Sequence, residues 1–115
     1  MARGEIWAVD IPMPAGRVGR EQFGTRPGIV VQADAADPQL PTTVIIPATS
    51  RLEAQRFPYT LTIQPSVLNG LDRPSVFLVF QARAIDKRRL IRRLGRLEDD
   101  ELKSPETKVR ALLAI

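Results

Sequence analysis

Tyr59-Thr60-Leu61-Thr62-Ile63 and Val76-Phe77-Leu78-Val79-Phe80, with Leu68-Asn69-Gly70-Leu71-Asp72 between them, settle the fold class. The first run alternates polar and apolar residues, as a strand with one buried face does. The second is the most apolar run in the chain and suits a strand buried on both faces. An Asn-Gly pair between two such runs is turn chemistry. The second run is expected to continue to Ile85, after which Asp86 can cap a short helical turn over residues 87–90.

Outward from this centre the pattern repeats. Glu5-Ile6-Trp7-Ala8-Val9-Asp10 is short, apolar and bounded by acids, and predicts a first strand. Residues 28–32 predict a second, and residues 43–48 a third that ends at Thr49-Ser50-Arg51. Between them, residues 11–27 have no apolar period and carry Pro12, Pro14, Pro27, Gly16, Gly19 and Gly24, so a long loop is expected there. Residues 92–97 predict a last strand only weakly. Ser104 as cap, Pro105 at the first helical position and Glu106 at the positive end of the dipole predict a terminal helix. Val109, Leu112 and Leu113 share one face of it, and Leu102 joins that stripe if a turn over residues 99–103 runs on into the helix. The expected fold is mainly β (α+β): a small, strongly bent antiparallel barrel with a C-terminal helix, formed by residues 1–115 as one domain.

At 115 residues the chain is long enough to bury about two-thirds of its unfolded surface in one core. It contains neither Cys nor His. That excludes thiol nucleophiles, zinc sites built from Cys or His, the serine–histidine triad and any ribonuclease mechanism needing two imidazoles. A carboxylate metal site stays formally open, but Glu98, Asp99, Asp100 and Glu101 form a solvated run rather than a convergent cluster, and neither metal nor cofactor is expected. No apolar run approaches the roughly 20 residues that span a bilayer, and the amino terminus lacks a signal peptide's apolar core. Cytoplasmic residence without membrane attachment is the default expectation. The net charge is +4, and 14 of the 17 basic residues are arginine. Six basic residues fall between Lys87 and Arg96 with no acid among them, a run read as a solvated basic face. Arginine offers a planar fork to phosphate oxygens, so the charge points to a polyanionic partner, nucleic acid or acidic polypeptide.

The loop Arg20-Glu21-Gln22-Phe23-Gly24-Thr25-Arg26-Pro27 precedes the apolar run Gly28-Ile29-Val30-Val31. A cation fixed at the foot of a buried strand, under a polar glycine-containing loop, is a device for gripping a phosphodiester. An ordinary charged surface loop, with Arg26 pairing Glu21, has the same composition, and composition does not separate the two.

Four blocks together resemble the MazF/PemK-type toxins, the ribonuclease half of bacterial toxin–antitoxin pairs. They are Arg3-Gly4-Glu5-Ile6-Trp7 through Asp10; Glu21-Gln22 through Gly24-Thr25-Arg26-Pro27; Val44-Ile45-Ile46-Pro47 through Thr49-Ser50; and Gln81-Ala82-Arg83-Ala84-Ile85-Asp86-Lys87-Arg88-Arg89-Leu90. They cover most of the chain in the family's order. The resemblance implies an SH3-like barrel, a homodimer, and metal-independent, sequence-specific cleavage of single-stranded RNA held in check by a cognate antitoxin. It places the family's catalytic arginine on Arg26 and its threonine on Thr49. Glu21 and Gln22 match loop positions near the RNA, with Arg17, Arg20 and Ser50 as further substrate-binding candidates, and Gln81 and Arg83 match the dimer face that holds substrate.

Such cleavage suits this inventory of side chains. RNA brings its own nucleophile, the 2′-hydroxyl, and the protein need supply only in-line positioning and charge stabilisation. Two positions depart from the family pattern. Phe80 stands where many relatives have an acidic residue, and Arg20 where some have histidine, so a mechanism using those groups cannot operate here. The competing readings are a CcdB-like, gyrase-binding toxin and a catalytically weak relative. Trp7 and Phe77 are expected in the core; Phe23 and Tyr59 are candidates for base stacking.

Overall fold

The computed structural model describes residues 1–12, 24–33 and 36–115. Among these residues the strands are β1 (Glu5–Ile11), β2 (Gly24–Val30), β3 (Thr42–Thr49), β4 (Thr60–Ile63), β5 (Ser75–Leu78), β6 (Arg83–Asp86) and β7 (Leu90–Arg96), followed by the helix α1 (Ser104–Leu113). Every strand pairing is antiparallel, in the order β4-β5-β3-β2-β1-β7 with β6 also on β3.

Consecutive buried residues explain why β2 and β3 lie centrally. Adjacent side chains of a strand point to opposite faces. Ile29 and Ile46 join a core cluster with Ile6 and Phe77, while their neighbours Val30 and Ile45 join a second cluster with Val9 and Ile85. Both faces of this part of the sheet are therefore apolar and covered. Val109 and Leu112 of α1 pack on the first cluster.

The mainly β, antiparallel architecture with a C-terminal helix is the expected one, but the strand path is open: β4 and β7 end it without pairing. A loop occupies the place where a closing pair would stand. Residues 64–74, between β4 and β5, reach β7, where the Arg96 amide donates to the Leu68 carbonyl at 3.1 Å. The approach is too close for side chains: a Cβ on Gly95 would meet the Leu68 carbonyl oxygen at 2.1 Å, and one on Gly70, at φ +68°, would meet that of Leu94 at 2.0 Å.

Buried Asn69 holds this loop in shape. Its Oδ1 accepts the amides of Ser66 and Leu71, each at 3.0 Å, and its Nδ2 donates to the Gln64 carbonyl at 2.8 Å. Ser66 Oγ accepts the Asn69 amide at 3.1 Å and donates to Glu98 Oε2 at 2.7 Å.

Several local expectations need correction. First, Gly24–Pro27 belong to β2 rather than to the loop, with Arg26 opposite Val9 and Pro27 opposite Ala8. Only residues 28–30 of β2 also pair with β3, so Pro27 sits where the strand has one neighbour and its missing N–H leaves no ladder bond unmade. Second, the apolar run at 76–80 does not continue to Ile85. A 3₁₀ turn at Val79–Gln81 breaks it, because β5 pairs with Ala48 and Thr49 whereas β6 pairs with the other half of β3. Third, the weakly expected last strand forms fully and starts earlier, at Leu90. Fourth, Ser104 is the first helical residue, not a cap: Lys103 precedes it and no side chain caps the helix. Leu113 is 59% exposed and lies off the packed stripe. Asp86 does cap the turn at Lys87–Arg89, accepting the Arg88 amide at 2.9 Å.

The packing at Gly95 gives a direct test. Gly95→Ala drives a methyl into backbone that has no room to move, and should lower the denaturant-derived unfolding free energy by about 1–3 kcal/mol. An unchanged urea midpoint would show that the loop is not seated against β7 as described.

Candidate active site

The loop docked on β7, the free end of β2 and the end of β3 enclose a cavity of about 360 Å³. Arg26 and Thr49, brought from strands 23 residues apart in sequence, both line it, and so does Ser50. Thr49 is the last residue of β3 and only 7% exposed. Its Oγ1 accepts the Arg51 amide at 3.2 Å, which leaves the hydroxyl proton for another acceptor. Ser50, the next residue, is exposed at the rim.

Three charged groups complete the walls. Asp72 and Arg73 follow the Asn69–Gly70 turn, and Arg92 comes from β7. Asp72 Oδ1 and Arg73 Nε lie 3.5 Å apart with both side chains largely exposed. The sequence alone does not distinguish these three. In sequence the Asn-Gly pair marks a turn between strands, and the basic run at 87–96 is one undivided face. An arginine directly after a buried turn was the available signal. Among the described residues no group of three or more His, Cys, Asp or Glu side chains is placed to hold a metal ion.

Over residues 2–113 the chain matches the family described as PemK-like, MazF-like toxin of type II toxin–antitoxin systems. The chain belongs to this family. It is 33% identical over 103 residues to Endoribonuclease MazF of Staphylococcus saprophyticus, an alignment covering 90% of this chain and 82% of the relative. The crystal structure of MazF from Deinococcus radiodurans matches the fold with a TM-score of 0.77 at 27% identity, over 100% of this chain and 97% of that one. A crystal structure of MazE-MazF from the same organism matches with a TM-score of 0.72 at 25% identity, over 100% of this chain and 96% of that one.

The remaining candidates lie apart from the toxin's cavity or outside the described residues. Arg17, Arg20, Glu21 and Gln22 fall in the stretch 13–23, which is not described, as does Phe23. Gln81 and Arg83 do not line the cavity. Arg83 pairs with Ile45, four residues along β3 from Thr49, or about 13 Å at ~3.3 Å per residue. Phe80 is not a wall of the cavity either. It meets Phe57 edge-on, with ring centroids 5.8 Å apart, and so clasps the 3₁₀ turn at Leu52–Arg56. Tyr59 is 38% exposed at φ +58° and does not line the cavity. Phe77 is fully buried, whereas Trp7 is only partly so, its indole N–H donating to Glu5 Oε1 at 3.0 Å.

The basic face beside the cavity is largely neutralised in pairs. Arg88 donates to Asp86 Oδ2 at 2.8 Å, Arg89 reaches Asp10 at 3.3 Å, Arg93 reaches Glu5 at 3.1 Å and Arg96 reaches Asp99 at 3.2 Å. Burial pushes the Glu5 carboxyl up, but donors from Trp7, the Ala2 amide, the terminal ammonium and Arg93 outweigh it and the net shift is down. The Arg88 guanidinium, then its amide, hold the Asp86 carboxyl at about 2 against an ordinary 3.8.

A depressed carboxylate stabilises the fold above its unfolded pKa, and that contribution is lost as pH falls through the folded one. Wild type should therefore exceed Asp86→Asn in stability at neutral pH, and the gap should close as pH drops from 3.8 through about 2. Chemical denaturation across that window reads the difference. Parallel profiles for the two proteins would contradict the pairing.

Proposed function

We propose that this toxin is a metal-independent endoribonuclease that cuts single-stranded RNA, mRNA included, at specific short sequences, with Arg26 and Thr49 acting on the scissile phosphate. The carrying observation is that both residues line one cavity. In the reaction the 2′-oxygen attacks the adjacent phosphorus and loses its proton, the bond to the 5′-oxygen breaks, and that oxygen takes a proton. The products are a 2′,3′-cyclic phosphate and a 5′-hydroxyl. Negative charge builds on the non-bridging oxygens at the pentacoordinate stage. A fixed guanidinium and a hydroxyl already oriented by a backbone amide stabilise that charge with little reorganisation.

Arginine stays protonated in proteins, so Arg26 stabilises charge and does not accept the 2′-proton. A carboxylate next to a guanidinium is made less basic by it, so an acid working beside this cation is a weak base. Turnover is accordingly modest and dominated by geometry and electrostatics. Phe80 packs edge-on against Phe57 and offers no acid, so Arg26 and Thr49 carry the chemistry without one at that position.

The partner reading follows the same course. A solved relative is MazE-MazF, a toxin with its antitoxin, and the present chain takes a cognate antitoxin in turn. The cations lining the cavity suit an acidic, extended antitoxin segment that competes with RNA. The working toxin is a homodimer, with Gln81 and Arg83 on the face that extends the substrate path, Arg17, Arg20, Glu21, Gln22 and Ser50 as substrate contacts, and the cytoplasm as its compartment. No helix among the described residues is long and apolar enough to cross a membrane.

Purified wild type should cut a long single-stranded RNA in EDTA and leave 5′-hydroxyl ends. Replacing the 2′-hydroxyl upstream of the mapped cut with hydrogen should abolish cleavage. Arg26→Ala should slow it by about 10²–10³, or ~2.7–4 kcal/mol, and Thr49→Val by about tenfold or more, with unchanged circular dichroism. Cleavage through the 2′-deoxy position, or an Arg26→Ala variant at full rate, overturns the assignment. Intact RNA alongside inhibited gyrase would favour the gyrase-binding alternative.

A further inference from the structure

Five of the six basic residues between Lys87 and Arg96 are engaged by the protein itself. Lys87 Nζ donates to the Asp37 carbonyl at 2.6 Å, and Arg88, Arg89, Arg93 and Arg96 pair with Asp86, Asp10, Glu5 and Asp99. Arg92 is the exception. Among the described residues its side chain has no hydrogen bond or ion pair, and it is the one member of the run that lines the cavity of Arg26 and Thr49.

The backbone accounts for the division. Neighbours on a strand point to opposite faces, so Arg93 turned toward Glu5 sends Arg92 to the other side. Register shifts in the β1–β7 ladder fall on either side of this pair, between Ile6 and Trp7 and between Ala8 and Val9. Such irregularities re-aim the side chains beside them. The residue opposite Arg92 is Ala8, itself a cavity wall and too small to cover the guanidinium.

We propose that Arg92 binds a substrate phosphate other than the scissile one, together with Arg73, so that the cavity grips two successive phosphates of a single RNA strand. The inference rests on the nuclease reading and adds a second phosphate subsite to it. Charge supports the second subsite. Beside Arg26 and Thr49 the described walls carry two further cations, Arg73 and Arg92, against the single carboxylate of Asp72, a surplus of one positive charge that one further phosphodiester neutralises. Arg73 is available because its contact with Asp72 is a solvent-exposed one at 3.5 Å between adjacent residues, which a phosphate readily displaces. Arg26 with Thr49 then meets the reacting phosphate, and Arg92 with Arg73 holds its neighbour in register.

The test uses an oligonucleotide spanning a mapped cut, made uncleavable by a 2′-deoxy substitution, with Arg89→Gln and Arg93→Gln as controls taken from the same basic run. Arg92→Gln should raise Kd about tenfold, as loss of a charge-assisted contact does, with Arg92→Lys recovering part of the loss. It should also flatten the slope of log Kd against log salt by about 0.7, the contribution of one phosphate on a single strand. On the cleavable RNA its KM should rise while kcat stays within about twofold, the mark of binding shared by ground and transition states. Both controls should stay within about twofold of wild type throughout. A methylphosphonate at the phosphate next to the cut should weaken wild type more than it weakens Arg92→Gln, in which only Arg73 still meets that phosphate. If wild type cuts RNA but Arg92→Gln behaves like the controls, or loses kcat at unchanged Kd, the second subsite is wrong and the nuclease reading stands. If wild type neither binds nor cuts RNA, both fall together.

Discussion

The docking of residues 64–74 onto β7 is the constraint on which the rest depends. An antiparallel sheet whose end strands do not pair needs something to cover the gap, and here a loop does so through close backbone contact, with Ser66 bonded to Glu98 and Leu71 packed in the core. Two glycines, Gly70 and Gly95, allow carbonyls to approach where any Cβ would collide. A buried asparagine then satisfies the loop's amides and carbonyl from within, so that polar backbone can be buried without penalty. The cavity is a consequence. Its walls after the turn, Leu71 through Arg73, stand beside Thr49 because the loop has nowhere else to go.

Much of the framework was legible in the residues. Alternation at 59–63 and the apolar run at 76–80 found β4 and β5, and the doubled apolar pairs Ile29–Val30 and Ile45–Ile46 mark strands covered on both faces. The errors share one cause: local chemistry competes with pairing partners that a sequence does not display. Gly24 and Pro27 are turn-forming residues, yet they extend β2 because β1 offers a full edge to pair with. Val79 and Phe80 favour strand, yet they turn because β5 and β6 bond to different halves of β3. Ser104 has the chemistry of a cap, but the chain approaches in a helical conformation at Lys103, which leaves no place for one.

The site was legible to the extent that a motif carries it. The sequence names Arg26 and Thr49, and both line the cavity. It does not name Asp72, Arg73 and Arg92, because their importance comes from which charges are left over once the others have paired. In the run from Lys87 to Arg96 all six residues look equivalent on paper. Only the positions of Glu5, Asp10, Asp86 and Asp99 show that Arg92 alone faces the cavity without a counter-ion among the described residues. Phe80 teaches the converse. A substitution that looks like a missing acid is, in space, one half of an aromatic clasp.

The central claim is that a guanidinium and a hydroxyl from separate strands act on one phosphate. A double-mutant cycle on single-turnover cleavage rates, comparing wild type, Arg26→Ala, Thr49→Val and the pair, tests it most directly. Groups that work as a unit give strongly non-additive losses, so the double variant should be little slower than Arg26→Ala alone. Losses that multiply, with each substitution exacting its full effect in the presence of the other, would contradict the account.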